Sequence, residues 1–263
     1  MTEITDREAT DAPASFAALC WIAVACNLGA LVSVVYWIFT ARAQYIARHP
    51  ELVAIDPPTI SRAISDPLIG EPFAMWVTVA GLMLSFGVLM NILVYLRAAR
   101  HLEAPMGYMR LVVAVVMPAC VLLQVASGIG MHTLSSFRFP DHNGTHMIGS
   151  YIFFISQVFV VLCGVLICDA TLRDRASGAR LQSLGMSGPR MLRFRRGFGL
   201  FCFALTAAYF SLFKLKGVEF GAWNDLIYLL YVSTEPAVIT CFLLFLALFQ
   251  TDIIGLRRVQ RLS

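Results

Sequence analysis

Charged residues are scarce in this chain and unevenly spread. They make up 14% of its 263 residues against 59% hydrophobic ones, and mean hydropathy is +0.74. A water-soluble domain carries roughly 25% charged residues, so this composition excludes an ordinary soluble globule. The deficit falls in blocks: segments 16–40, 73–96, 111–130, 147–168 and 197–213 hold no charge at all, and 226–250 holds Glu235 alone. Also missing is the period-two alternation of a membrane β-barrel. No CxxC spacing exists for zinc, and the seven cysteines (Cys20, Cys26, Cys120, Cys163, Cys168, Cys202, Cys241) all fall within the apolar segments. That placement argues against a disulfide framework and leaves them as small packing residues. There is no Walker loop, HExxH or GxSxG motif, and no pair of mid-span histidines to ligate a transmembrane haem. No cofactor and no metal site is expected. With no repeat or linker to divide it, the chain reads as a single six-span membrane domain over residues 1–263.

What remains is six apolar runs of about membrane length. At 1.5 Å per residue, roughly 20 residues cover the ~30 Å hydrocarbon core. Such a run satisfies its own backbone polar groups in lipid only as a helix. The sequence therefore predicts an all-α, polytopic membrane protein, a bundle of six transmembrane helices in which 197–213 is the shortest span. The first run is too long for a signal-peptide core and follows acidic rather than basic residues, so it reads as a retained span. Basic residues set the orientation. The N-terminal tail, the second and fourth loops and the C-terminal tail carry 14 of the 20 lysines and arginines. Seven of these lie in the fourth loop: Arg173, Arg175, Arg180, Arg190, Arg193, Arg195 and Arg196. The positive-inside rule then puts both termini in the cytoplasm. Arginines anchoring membrane exits account for the net charge of +4 without a nucleic-acid partner.

The loops on the opposite, outer side hold the residues that could do chemistry. In FRFPDHNGTHMIGSYIFF (137–154), Arg138, Asp141, His142 and His146 crowd around an Asn-Gly turn just before an apolar run. A helix beginning near Asn143 would set His146, Gly149 and Ser150 on one face. His146 is then a structural partner of a loop carbonyl, or a general acid–base, metal ligand or lipid head-group contact. Glu235 lies about ten residues into the sixth run, roughly 15 Å deep by helical rise. A charge there costs about 2.5–3.5 kcal/mol on insertion scales, so Glu235 is expected to face the bundle and find a partner. Pro236 beside it removes a helical hydrogen bond and marks a candidate cavity. In the first outer loop, about 41–72, Asp66 and Glu71 lie within ISDPLIGEP, whose prolines suit turns and extended chain better than a long helix. Asn27, Asn91, Gln124 and Gln157 within the spans read as interhelical hydrogen-bond partners.

These residues, in this order, resemble the Frag/DRAM/Sfk family of six-span membrane proteins, which includes the damage-regulated autophagy modulators and the GPI-anchor lipid-remodelling proteins. ISDPLIGEP resembles the family's segment at the end of the first outer loop, matching Ile64, Ser65, Asp66, Gly70 and Pro72. FRFPDHNGTHMIGS resembles a second segment, matching Phe137, His146 and Gly149, and Glu235 resembles the acid of the last span. Arg138, Ser150 and Pro236 depart from the family pattern. The resemblance implies cytoplasmic termini, a long first outer loop and a role in membrane-lipid organisation.

Two classes of function stay open. In one, Asp66, Asp141, His142, His146, Gly149 and Glu235 belong to an outer-leaflet polar site that binds membrane lipids without catalysis. In the other, an intramembrane lipid hydrolase or acyltransferase uses Asp66, Asp141, His142 and His146, with or without a metal. A protein partner recruited by the arginine-rich fourth loop is a further expectation.

Overall fold

The computed structural model of the chain describes residues 14–53, 56–102, 105 and 107–255. Arg7, Arg257, Arg258 and Arg261, which contribute to the charge asymmetry, lie outside the described residues. The described chain is helical throughout: α1 (Ala14–Arg48), α2 (Pro50–Val53), α3 (Ile60–Ala63), α4 (Pro67–Ala99), α5 (Gly107–Leu111), a π-helical turn (Val112–Val116), α6 (Met117–Ser136), α7 (Asn143–Arg173), α8 (Arg175–Ser183), α9 (Pro189–Leu215), a 3-10 turn (Gly221–Trp223) and α10 (Asn224–Leu248). Among the described residues there is no strand. Six stretches are long and apolar enough to cross a membrane: Phe16–Arg48, Pro67–Ala99, Gly107–Ser136, Asn143–Arg173, Pro189–Leu215 and Gly221–Gly255. Each contains the whole of one expected span; the first runs past its far end and the other five past both ends. Hydropathy reports only the part immersed in hydrocarbon, whereas the helical hydrogen bonds continue into the head-group zone.

The loop between the first two spans is shorter and more helical than its prolines suggested. Helix α1 runs on to Arg48, and α4 already begins at Pro67. Proline at the first helical position loses no hydrogen bond, because the opening N–H groups have no partner within the helix. Asp66 supplies the cap: its backbone is extended and its carboxylate accepts the Leu68 N–H at 3.0 Å. The same carboxylate pairs with Arg48 at 3.2 Å and His49 at 3.3 Å, which ties the end of α1 to the start of α4.

Helix neighbours in space are α1 and α4, α4 and α6, α6 and α7, α7 and α9, α9 and α10, and α10 and α1. The six long helices thus close a ring in chain order. Large apolar side chains such as Trp21, Val32, Leu82, Leu122 and Phe201 are left exposed, as a lipid-facing surface requires. Helices α6 and α7 approach closely. A Cβ on Gly149 would lie 2.6 Å from the Leu134 nitrogen and 3.0 Å from the Thr133 side chain, so Gly149 serves contact between helices. Within the ring the Ser127 hydroxyl donates to Gln157 at 2.8 Å, as expected of an interhelical pair. Among the described residues the Asn27 amide has no hydrogen-bond partner, and neither have the Asn91 and Gln124 side-chain oxygens or the Gln157 side-chain nitrogen.

One end of the ring is held by a buried ionic cluster. Arg195, expected as a topological anchor, is 0% exposed. Its Nη1 donates to Asp252 at 2.6 Å, and the two N–H groups of its Nη2 are shared among the Leu248 carbonyl at 2.8 Å, Ser187 at 2.9 Å and Thr251 at 2.6 Å. The Tyr95 hydroxyl also donates to Asp252, and the Phe249 ring lies 4.5 Å from the guanidinium. With Arg97 stacked over Phe16 at 5.0 Å, these contacts gather the start of α1, the end of α4, the start of α9 and the end of α10. At the opposite end the one-turn helix α3 packs on α1 and α10.

Candidate functional site

His146 sits in the first turn of α7 and is only 3% exposed. Its Nδ1 lies 2.7 Å from the Leu134 carbonyl and 3.2 Å from the Phe137 carbonyl. Carbonyl oxygens only accept, so the ring proton belongs on Nδ1. The lone pair of the neutral ring is then on Nε2, which lies 2.9 Å from the Ser61 hydroxyl. The loop carbonyl posed as a structural partner of His146 is present on Nδ1, and the second ring nitrogen meets a serine hydroxyl.

Ser61 is placed by α3, and α3 is placed by Glu235. Thr59, in extended conformation after two prolines, caps α3 by accepting the Arg62 N–H at 3.0 Å. The Ile60 N–H, one of the opening donors that a helix leaves unpaired, donates instead to Glu235 Oε2 at 3.0 Å. Glu235 is 5% exposed and lies on α10, so it faces the bundle and has a partner, as its position in a span demands.

An open cavity of about 580 Å³ occupies this end of the ring. Its walls include Tyr45, Ser61, Arg62, Asn143, His146, Lys216, Tyr228 and Tyr231; Arg62, whose Nη1 lies 3.8 Å from the Asp56 carboxylate outside the cavity wall, and Lys216 are its charged groups, and no carboxylate lines it among the described residues. Two smaller cavities of about 40 Å³ each share walls with it. Ser61 lines all three, and Glu235 and Phe154 line both small ones; Val34, Ile38, Phe73 and Val77 add apolar surface to one of these, and Phe210 and Phe213 to the other. Each small cavity exceeds the roughly 10–15 Å³ that a water needs. Lys216 stands just past the end of α9, with its ammonium 4.7 Å from the Phe213 ring and 4.2 Å from the Tyr231 ring. Burial against those rings lowers its pKa from the ordinary lysine value, and the Glu235 charge offsets part of that shift.

Of the residues singled out by sequence, His146 and Glu235 converge on one cavity system. Asp66 instead caps α4 and pairs with Arg48 and His49. Gly149 lies at the α6–α7 contact. Asp141 and His142 are exposed, with the His142 ring edge-on to Phe137 at 5.6 Å. Among the described residues no three His, Cys, Asp or Glu side chains are grouped to hold a metal ion. Ser61, Arg62 and Lys216 escaped the sequence reading. Only Thr59 after two prolines, a start signal for a helix, hints that Ser61 and Arg62 are held in place.

The family model for the Frag1/DRAM/Sfk1/Cwh43P N-terminal domain matches residues 15–256. The chain belongs to this family. No curated protein and no solved structure gives a match. Family membership and six spanning-length helices together make this Frag1/DRAM/Sfk1-family chain an integral, multi-pass membrane protein.

Proposed function

We propose that this Frag1/DRAM/Sfk1-family protein takes part in lipid organisation or remodelling by binding an anionic lipid in the outer leaflet. The observation that carries the proposal is the 580 Å³ cavity, whose only charged wall residues among those described are the cations Arg62 and Lys216. A phosphate head group is the natural counterpart of two cations flanked by tyrosines, and the apolar walls beyond Ser61 suit the start of an acyl chain. The outer-leaflet assignment comes from the arginines at the opposite end of the ring, which the positive-inside rule puts in the cytoplasm. Binding needs no bond to be made or broken, and the cavity supports it without further assumption.

The test is titration of the detergent-solubilised protein with short-chain phosphatidylglycerol. Hydrogen bonds to charged groups are worth about 1.5–3 kcal/mol each. The double variant Arg62→Gln, Lys216→Gln should therefore bind at least about tenfold more weakly. Equal affinity in the wild type and the double variant would remove the proposal.

A further inference from the structure

We propose that Ser61 and His146 form a catalytic pair that transfers the acyl group of a lipid ester, a reading that rests on lipid binding in the same cavity. Four observations carry it. Hydroxyls of helical serines and threonines here commonly donate to a carbonyl one turn back: Thr78, Ser85, Ser135, Ser150, Ser211 and Thr234 all do. Ser61 does not. The Pro57 carbonyl, four residues behind it, is bonded by the Tyr228 hydroxyl at 3.2 Å, and the Ser61 hydroxyl points at His146 Nε2 at 2.9 Å.

The proton inventory around His146 is the second observation. Two carbonyls hold the ring proton on Nδ1, which leaves Nε2 free to take a proton from Ser61. Nucleophile, base and an orienting acceptor behind the base are the parts of a serine–histidine mechanism, with carbonyls standing where other enzymes place a carboxylate. The contrast within this chain is His132. Its Nδ1 lies 2.9 Å from Thr78, but the Thr78 hydroxyl already donates to the Ala74 carbonyl, so that contact has no proton to pass to the ring.

Access is the third. Ser61 is half-buried and lines the cationic cavity and both small cavities, so its oxygen lies where a head group, an acyl chain and a water can meet. The fourth is rigidity. The Ile60 N–H to Glu235 bond and the Thr59 cap fix α3, which makes Glu235 a positioning residue for Ser61.

The reaction balances on these groups. Ser61 Oγ attacks the ester carbonyl carbon while its proton moves to Nε2. The bond from the acyl carbon to the lysolipid oxygen then breaks, and that oxygen takes the proton from Nε2. The acyl group remains on Ser61 as an ester. A water or the hydroxyl of an acceptor lipid next gives its proton to Nε2 and attacks this ester. Ser61 leaves with that proton restored, releasing a free acid or a new lipid ester. Asn143 and Arg62 line the same cavity and are donors for the developing oxyanion and the phosphate.

The experiment uses the full chain in nanodiscs containing phosphatidylglycerol. The protein is treated with a fluorophosphonate, which labels an activated serine whatever the natural substrate. Peptide mass spectrometry should place the adduct on Ser61. Labelling should fall at least about a hundredfold in His146→Gln, the scale of a lost general base. Ser61→Ala should lose the adduct and the conversion of fluorescent phosphatidylglycerol to lysolipid. Ser61→Cys should retain a hydroxylamine-sensitive acyl adduct, which shows that the variant folds. A wild type that binds lipid but gives no Ser61 adduct overturns the catalytic pair and leaves lipid binding intact. Failure of the wild type to bind lipid overturns both.

Discussion

Glu235 joins the membrane interior to the loop between α1 and α4 through a single bond, from the Ile60 N–H to its carboxyl oxygen at 3.0 Å. Removing the acceptor leaves a buried donor unpaired, at a cost of about 1–3 kcal/mol. Glu235→Ala should therefore lower the thermal unfolding temperature in detergent. Glu235→Gln, which keeps an acceptor oxygen, should stay near wild type. Equal unfolding temperatures for Glu235→Ala and wild type would show that the bond contributes nothing to stability. Glu235 and His146 were legible in the sequence because a polar group in apolar surroundings needs a partner, and that need is local information. Ser61 was not legible. It is one serine in a proline-rich loop, and its meaning comes from His146, 85 positions away, through α3, which is pinned by a residue 175 positions from Ile60. Asp66 lay between these cases: an acid before proline was visible, but its pairing with Arg48 and His49 depended on how far α1 continues.

At the scale of elements, the Arg195 cluster joins α4, α9 and α10 at the end opposite the site. Charge counting read Arg195 as one more cytoplasmic anchor, because 57 residues separate it from Asp252 and no spacing rule links them. Burial makes the pair costly to split: removing one partner of a buried ion pair destabilises by about 3–5 kcal/mol, whereas replacing both with apolar groups is far milder. Arg195→Met should thus unfold at clearly lower temperature than wild type, and Arg195→Met with Asp252→Leu should recover part of the loss. A single variant as stable as wild type would mean the cluster is no clamp. Helix existence was readable throughout, since hydropathy is a property of a short window. Helix ends were not, because Arg48 and Pro67 belong to helices for reasons of capping and pairing that hydropathy ignores.

For the whole molecule, the ring of six helices separates two kinds of polar chemistry. The arginine end closes on itself through buried bonds, and the α3 end leaves a cationic cavity open above Ser61, His146 and Glu235. Six spans and membership of the Frag1/DRAM/Sfk1 family were readable from apolar runs and three short segments. The convergence of α3, α7 and α10 on one cavity was not, since it exists only once the ring closes. Photocrosslinking in nanodiscs with a phosphatidylglycerol carrying a diazirine near its head group tests the central claim, lipid binding in that cavity, most directly. The predicted result is adducts on residues 59–65, on 143–147 and around Lys216, reduced by Arg62→Gln with Lys216→Gln. Adducts confined to the outward apolar surface, on residues such as Trp21, Leu82 and Leu122, and unchanged in the double variant, would contradict it.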